Sequence, residues 1–324
     1  MSSGYYLGID LGGTNVKSGV VDGVGNVIAR DSRPTEAKKG LAHSIDQIVA
    51  CARASVSDSG LLPGDLEGVG IGSPGPIDPY EGTAVSPVNL PTWEVVPLAA
   101  LLSDAFGGLP TCLDNDANVV AYGENWLGAG KHTRHFICIT LGTGVGGGVV
   151  SNGQLIHGFD GNAGEIGHMS IDYRGRPCPC GNLGCLERYC SATAVVETAQ
   201  EILAGNHGME TALEARNGLT SELIADAAQN GDAVARMVFE EAGVCLGMSV
   251  VSLIAAFNAN VVAIGGGMAR AGDLILDPVR RTVRRHALAH MKEVVKITPM
   301  LLGEDAALLG AAKLAMDGGV GAAS

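Results

Sequence analysis

The sequence predicts an α/β protein built from two topologically related domains that face each other across a cleft. Two observations carry this prediction. A strand–glycine loop–strand unit occurs twice along the chain, and the remaining sequence alternates between helical and strand-like apolar patterns. The length of 324 residues, with 46% hydrophobic residues, is sufficient for about two domains with large buried cores.

The duplicated unit spans residues 5–26 in its first copy and residues 136–156 in its second. The copies align at the Gly-Val-Val sequences of residues 19–21 and 148–150, and their glycine loops then differ in length by one residue. The second copy ends near the dipeptide Asn152-Gly153, which favours a tight β-hairpin turn. We therefore expect two glycine hairpins of the same design, one in each domain.

The second glycine loop contains the spacing G-x-G-x-x-G at Gly142, Gly144 and Gly147. A dinucleotide-binding fingerprint requires a helix after such a loop, but the residues from Val149 onward predict a strand. Neither loop continues into the Gly-Lys-Ser/Thr sequence of a P-loop. Each loop is therefore predicted to be a hairpin whose bare N–H groups can approach phosphate oxygens, with a tight turn lacking a ligand as the alternative.

The rest of the chain predicts alternating helices and short strands. Helices are predicted at 41–56, 117–126, 192–203, 221–229, 232–257, 273–288 and 306–316, and further strands at 68–72, 110–113, 261–264 and 294–297. No charged residue lies between Glu241 and Arg270, which raises the question of a membrane span. Asn258 and Asn260 interrupt this run, so a buried helix followed by a strand explains it better.

The segment 164–187 combines three closely spaced cysteines with a histidine. The donor set is His168, Cys178, Cys180 and Cys185. Three thiolates and one imidazole make a complete tetrahedral set for Zn²⁺, and four protein ligands leave no open position for a reactive water. We expect a structural zinc that orders the loop and two carboxylates on it, Glu165 and Glu187. Ordinary buried or surface thiols are the alternative.

Composition limits the classes of partner. The formal net charge is −13, and the cysteine-rich loop carries only Arg174, Arg176 and Arg188, so nucleic-acid binding is not expected. The N-terminal residues lack the basic region and the long apolar run of a signal peptide. The remaining cysteines are scattered and apolar in context, which favours a reducing cytoplasm.

Together these segments resemble the ROK family of sugar kinases, within the actin/hexokinase-like superfamily. The matching motifs are DLGGTNVK at 10–17, LDNDAN at 113–118, LGTGVGGG at 141–148, GEIGH at 164–168 and CPCGNLGCLE at 178–187. The resemblance implies ATP-dependent phosphorylation of a hexose, with Mg²⁺ accompanying ATP, in a cleft between two actin/ribonuclease-H-like domains. It places the domains at residues 1–116 and 117–304, with a last helix at 305–318 packing back on the first, and it implies homodimers or homotetramers.

The resemblance also assigns the nucleotide site. Its residues would be Asp10, Gly12, Gly13, Thr14, Lys17, Thr143, Gly144, Gly265 and Gly266. Asp10, placed just before a glycine loop, suits an outer-shell partner of Mg²⁺, and an acid that merely stabilises the turn is the alternative. Gly265 and Gly266 lie between a predicted strand and a helix and resemble the family's adenosine site. A glycine at a helix end is the alternative, but the three glycines of residues 265–267 exceed that need.

For the sugar site, the resemblance implies residues on both sides of the cleft. They would be Gly75, Asn89, Asn115, Asp116, Glu165, His168 and Glu187. His168 would use one ring nitrogen on zinc and the other on a sugar hydroxyl. Asp116 is the predicted general base, because a strand end is where a cleft residue is expected in an α/β sheet. An N-cap role for Asp116 is the alternative, and Asp114 is the neighbouring rival for the base.

The carboxylates of this set favour a neutral hexose over an anionic sugar. Glucose is the first expectation, whereas mannose, fructose, N-acetylglucosamine and N-acetylmannosamine stay open, as does polyphosphate in place of ATP. A ROK repressor would need a helix-turn-helix ahead of the first glycine loop, whose strand begins at residue 5, so a sugar-sensing regulator without kinase activity is the less favoured alternative.

Overall fold

The computed structural model describes residues 4–87, 90–205, 208–213 and 218–320. The strands in chain order are β1 (Tyr5–Leu11), β2 (Asn15–Asp22), β3 (Val27–Pro34), β4 (Leu66–Ser73), β5 (Ile77–Asp78), β6 (Thr83–Val85), β7 (Val95–Val96), β8 (Thr111–Asn115), β9 (Phe136–Leu141), β10 (Val145–Ser151), β11 (Gln154–Leu155), β12 (Val261–Gly265) and β13 (Lys296–Pro299). The α-helices are α1 (Leu41–Asp58), α2 (Leu98–Ala105), α3 (Asp116–Trp126), α4 (Glu187–Cys190), α5 (Ala192–Ala204), α6 (Ser221–Gln229), α7 (Ala233–Phe257), α8 (Asp273–His286), α9 (Ala289–Lys292) and α10 (Ala306–Met316).

The two large sheets have the same topology. The strand order is β3-β2-β1-β4-β8 in the first and β11-β10-β9-β12-β13 in the second. In each, three antiparallel strands form a meander, and two parallel strands extend it from the first strand of the meander. The predicted duplication is therefore confirmed at the level of the whole sheet. The third sheet, β5-β6-β7, is a small antiparallel addition to the first half.

Both glycine loops are hairpin connections, as predicted. β1 pairs with β2 and β9 pairs with β10, and no helix follows the second loop, which confirms that it is not a dinucleotide-binding fingerprint. The turn between β10 and β11 has positive φ angles at Asn152 (55°) and Gly153 (83°). Left-handed conformation at both central residues is the twist-compatible geometry of a two-residue hairpin.

Helix α10 returns to the first sheet, where it packs against β1 and β4 and also against α3. Glycines allow this close approach: a Cβ at Gly70 of β4 would overlap the carbonyl oxygen of Ala311, and a Cβ at Gly310 would overlap that of Val119. α10 therefore holds α3, which carries the predicted base, against the first sheet. The division into domains at residues 116 and 304 stays a prediction.

The long uncharged segment forms α7. By length and composition α7 could cross a membrane, but 56% of its most apolar window is buried within the protein. It packs against α8, and glycines permit the contact, since a Cβ at Gly243 would lie 2.6 Å from Pro278 Cβ. The prediction of a buried helix followed by a strand is confirmed by α7 and β12.

Other predicted boundaries shift modestly. The helix predicted at 273–288 ends at His286, and a separate turn of helix, α9, follows it. The last strand lies at Lys296–Pro299 because the backbone N–H of Val295 still bonds the carbonyl of Met291 in that helical turn. The sequence patterns did not predict α2, β3, the short helix α4 or the β5–β7 sheet. Strands of two or three residues are too short to show a periodic pattern.

Candidate active site

Two adjoining cavities lie between the two large sheets. The first, here the hairpin cavity, measures about 480 Å³. It is lined by the second glycine hairpin (residues 140–146) together with Asp10, Glu187 and Gly266. The second, here the acidic cavity, measures about 660 Å³ and contains the loop 160–165 together with Gly75, Asn115 and His168. Asp116, Ala117 and Gly146 line both cavities. Of these three, only Asp116 has a titratable side chain.

The position of Asp116 follows from how α3 begins. Asn115 is the N-cap, and its Oδ1 accepts from the backbone N–H groups of Ala117 (2.8 Å) and Asn118 (3.4 Å). The capping role considered for Asp116 therefore belongs to its neighbour. Asp116 is the first residue of the helix, and its carboxylate is left at the junction of the two cavities.

The surroundings of Asp116 favour the protonated form of its carboxyl group more than water does. Burial raises the pKa of Asp116 to about 6, with further contributions from the negative charges of Asp10 and Glu165. Burial also raises the pKa of Asp10, while the nearby Lys17 lowers it. A carboxylate with a pKa this close to neutrality suits proton transfer at physiological pH.

The acidic cavity gathers most of the predicted sugar residues. Asn115 donates through Nδ2 to the carbonyl oxygen of Gly75 at 3.2 Å. Gly75 has φ 88°, and a Cβ there would lie 2.8 Å from Pro87 Cα, so the position requires glycine. Glu165 and His168 line the same cavity. Asn89 lies outside the described residues.

Glu187 is separated from that set. Its side chain lines the hairpin cavity, where Oε2 accepts from the backbone N–H of Val145 at 3.0 Å. The segment after it is anchored to the same hairpin, because the N–H of Ala192 bonds the carbonyl of Gly142 at 2.8 Å. The structure thus places Glu187 at the second glycine hairpin in the hairpin cavity, whereas Gly75, Asn115, Glu165 and His168 line the acidic cavity.

The predicted nucleotide residues divide into two groups. Asp10, Thr143, Gly144 and Gly266 line the hairpin cavity. Gly12, Gly13 and Thr14 form the tip of the first hairpin and line neither the hairpin nor the acidic cavity. That tip is held by Thr35, whose Oγ1 donates to the carbonyl of Gly12 at 2.7 Å and whose N–H donates to that of Thr14.

The two remaining predicted nucleotide residues, Lys17 and Gly265, line neither cavity. The Lys17 Nζ is 3.1 Å from Glu304 Oε2. Gly265 and Gly266 line a neighbouring cavity of about 330 Å³. Packing also requires them: a Cβ at Gly265 would overlap Met300, and Gly266 has φ 90° with the carbonyl of Leu141 against it.

The predicted zinc ligands converge. The donor atoms of His168, Cys178, Cys180 and Cys185 all lie within 4.8 Å of one another. The Sγ atoms of Cys180 and Cys185 are 3.6 Å apart, and His168 Nδ1 is 3.8 Å from Cys178 Sγ. A tetrahedron with zinc–sulfur bonds of about 2.3 Å has edges of about 3.8 Å, so this donor set fits the ion. Since Nδ1 faces the cluster, Nε2 is the nitrogen free for the acidic cavity.

Sequence reasoning missed two polar residues of the acidic cavity. Asp160 and Asn162 both line it, and Asp160 Oδ1 accepts from the N–H of Asn162 at 3.3 Å. The available signal was their position in the glycine-rich loop directly ahead of Glu165. Asp114, the rival base, is fully buried and lines neither cavity.

Comparison with known proteins identifies the family. The ROK family model matches residues 6–318. A glucokinase of Halalkalibacterium halodurans is 36% identical over 313 residues, which cover 96% of this chain and 94% of that protein. A xylose repressor of Caldicellulosiruptor bescii is 30% identical over 95% of this chain and 77% of its own length.

Solved structures agree with the sequence comparison. A ROK hexokinase from Thermus thermophilus superposes with a TM-score of 0.82 at 30% identity, covering 96% of this chain and 98% of that one. A ROK glucokinase from Streptomyces griseus, solved with glucose and AMPPNP, superposes with a TM-score of 0.78 at 33% identity, covering 97% and 100%. The resemblance and the actin/hexokinase-like fold predicted from the sequence are confirmed, and this chain belongs to the ROK family.

Proposed function

We propose that this protein is an ATP-dependent hexokinase that converts glucose to glucose 6-phosphate, with Asp116 as the general base. The glucokinase relatives and the ROK glucokinase and hexokinase structures support the hexokinase activity. The observation that carries the assignment of the base is that Asp116, alone among the residues that the structure describes, supplies a carboxylate to both cavities. Such a residue can contact the acceptor hydroxyl on one side while phosphate lies on the other.

In this proposal the hairpin cavity binds ATP and the acidic cavity binds the sugar. The backbone of Gly144 and the hydroxyl of Thr143 in the hairpin cavity would hold the phosphates of ATP. Asp116 would accept the proton of the 6-hydroxyl as its oxygen attacks phosphorus. Mg²⁺ accompanying ATP would neutralise phosphate charge, and the buried carboxylate of Asp10 suits an outer-shell contact with it.

The lining of the acidic cavity supports a neutral sugar. Asp116, Asp160 and Glu165 contribute three carboxylates, and no Lys or Arg is among the described residues that line it. A sugar carboxylate would enter without a cationic partner and against like charges. Asn115 and His168 add neutral groups that can bond hydroxyls.

Zinc has a supporting role in this proposal. The four-donor cluster fits a closed structural site, and its ligand His168 is also a wall of the acidic cavity. Zinc would therefore fix the ring orientation of His168 and the fold of its loop, without taking part in the reaction. A metal ligand that also faces substrate couples sugar binding to metal content.

We also propose that the protein acts in the cytoplasm and forms a homodimer or homotetramer. All eight cysteines, each within the described part of the chain, are free, which supports a reducing compartment. Helix α7 exposes Met237, Val244 and Met248 along one side, which supports burial against another subunit.

A panel of sugars tests the substrate. ADP release would be measured with glucose, mannose, fructose, N-acetylglucosamine, N-acetylmannosamine and glucuronate, and the phosphorylated position determined by phosphorus NMR. We expect the highest kcat/KM with glucose and a 6-phosphate product. Another neutral hexose in first place would correct the substrate but keep the enzyme class, whereas a preference for glucuronate, or no ADP release with any sugar, would refute the proposal.

A further inference from the structure

A buried hydrogen-bonded pair, His157–Asp114, lies beside the site and has no part in the mechanism given above. Asp114 is the fourth residue of β8, two residues before Asp116, and it is 0% exposed. Its Oδ2 is 2.6 Å from His157 Nε2. Because an ionised carboxylate only accepts hydrogen bonds, Nε2 carries the proton and donates.

The other oxygen of Asp114 organises the start of α3. Oδ1 accepts from the backbone N–H of Asn115 at 2.7 Å and from Asn118 Nδ2 at 2.9 Å. Both bonds fix the turn of chain that presents Asp116. A carboxylate without exposure needs all of its partners, since an unpaired buried charge is strongly unfavourable.

His157 stands at the opposite end of this connection. It follows β11 of the second sheet and begins the loop that lines the acidic cavity, and its own carbonyl accepts from the N–H of Ala163 at 3.0 Å. Its side chain therefore reaches from the start of this loop (residues 157–165, here the sugar loop) to the end of β8 in the first sheet. Contacts between these two segments set where a bound sugar lies relative to the base.

Resting on the proposed kinase function, we propose that His157 is a positioning residue. Its bond to Asp114 ties the sugar loop to the segment carrying Asn115 and Asp116, so that the acceptor hydroxyl and the base keep one relative geometry. Phosphoryl transfer depends steeply on such geometry, and a misplacement of about 1 Å can cost about a hundredfold in rate. Among the residues that the structure describes, no residue lining the hairpin cavity is hydrogen-bonded to the side chains of this pair, so nucleotide binding should not depend on it.

Three variants separate positioning from folding. His157→Leu removes the donor to Asp114 Oδ2 and leaves only the two bonds to Oδ1, and we expect kcat to fall by about 10- to 100-fold with the KM for ATP within about threefold of wild type. His157→Gln retains an N–H donor and should keep kcat within about threefold. In the double variant Asp114→Asn/His157→Leu the buried charge is gone, so the melting temperature should recover while kcat stays low.

The measurements are kcat, the KM for ATP, and thermal unfolding for each variant and the wild type. A kcat that recovers together with stability in the double variant would show a structural role only and overturn the inference. An unchanged kcat in His157→Leu, or equal losses in His157→Leu and His157→Gln, would overturn it as well. If the wild type phosphorylates no hexose, the proposed function fails first, and the positioning role fails with it.

Discussion

The two glycine hairpins share one backbone design and differ in their side chains. In the register of each hairpin, the second residue pair from the tip is Asp10 with Lys17 in the first copy and Thr140 with Gly146 in the second. A charged pair in one copy thus corresponds to a hydroxyl and a bare backbone in the other. Asp116 lies where the cavity containing both Asp10 and the second hairpin meets the acidic cavity.

This difference shows how a duplicated scaffold supports an asymmetric reaction. The same strand order delivers two turns to one cleft, but phosphoryl transfer needs a metal partner on one side and close backbone approach to phosphate on the other. In the proposed function, the charge of Asp10 would serve the first need, and small residues such as Gly144 and Gly146 would serve the second. The proposed roles therefore depend on the residues that differ between the copies, and the shared topology brings them together.

Replacing Asp10 should lower kcat more than replacing Thr140, its counterpart in the second hairpin. Asp10→Asn should lower kcat about a hundredfold, because the proposed outer-shell contact with Mg²⁺ is lost, whereas Thr140→Val at the equivalent position should lower it less than about threefold. Steady-state kinetics at several Mg²⁺ concentrations would measure both. Equal losses in the two variants would show that the copies are not specialised as described.

Thermal unfolding provides the control for that pair. Burial raises the pKa of Asp10 in the folded protein, so its contribution to stability is present at low pH and is lost as the pH rises through that pKa. Above that pKa the ionised carboxylate therefore opposes folding. Asp10→Asn should keep or raise the melting temperature, and a large decrease would mean that lost activity reflects unfolding.

A methyl group on the second hairpin should weaken nucleotide binding. A Cβ at Gly144 would meet Glu187 Oε2, which bonds the hairpin through Val145, whereas a Cβ at Gly142 has no protein atom within 4 Å. Gly144→Ala should raise the KM for ATP about tenfold and lower the melting temperature, and Gly142→Ala should leave the melting temperature unchanged. A wild-type KM for ATP in Gly144→Ala would remove this hairpin from the phosphate site.

Zinc removal should give the smallest kinetic change, and that change should be in the KM for glucose. Cys180→Ser should lose zinc and raise the KM for glucose several-fold, with kcat affected less, because in the proposed function the ion would order His168 rather than the reacting atoms. Cys112→Ser, outside the cluster, is the matched control. Metal-free protein, verified by elemental analysis, with the wild-type KM for glucose would contradict the proposed role of zinc.

The sequence predicted the parts of this site that depend on glycine and cysteine spacing. Both hairpins and the four-donor cluster follow from short local motifs, because the conformations and ligand sets they encode are few. The placement of Glu187 depended on a bond to Val145, which is distant in the chain, and no local pattern records such a contact. His157 is a single polar residue in a loop, where neither periodicity nor spacing gives a signal, and the signal for Asp160 was its position in the glycine-rich loop ahead of Glu165.

The pH dependence of kcat, measured on the wild type and on Asp116→Asn, tests the central claim most directly. Since burial and neighbouring carboxylates raise the pKa of Asp116 to about 6, wild-type kcat should rise through pH 6 and level off above pH 7 as the base ionises. Asp116→Asn should lose this limb, with kcat at least about 100-fold lower and sugar KM changed less than about tenfold, while Asp114→Asn falls less than about tenfold. Near-normal turnover in Asp116→Asn, or the same acidic limb in its residual activity, would contradict Asp116 as the base.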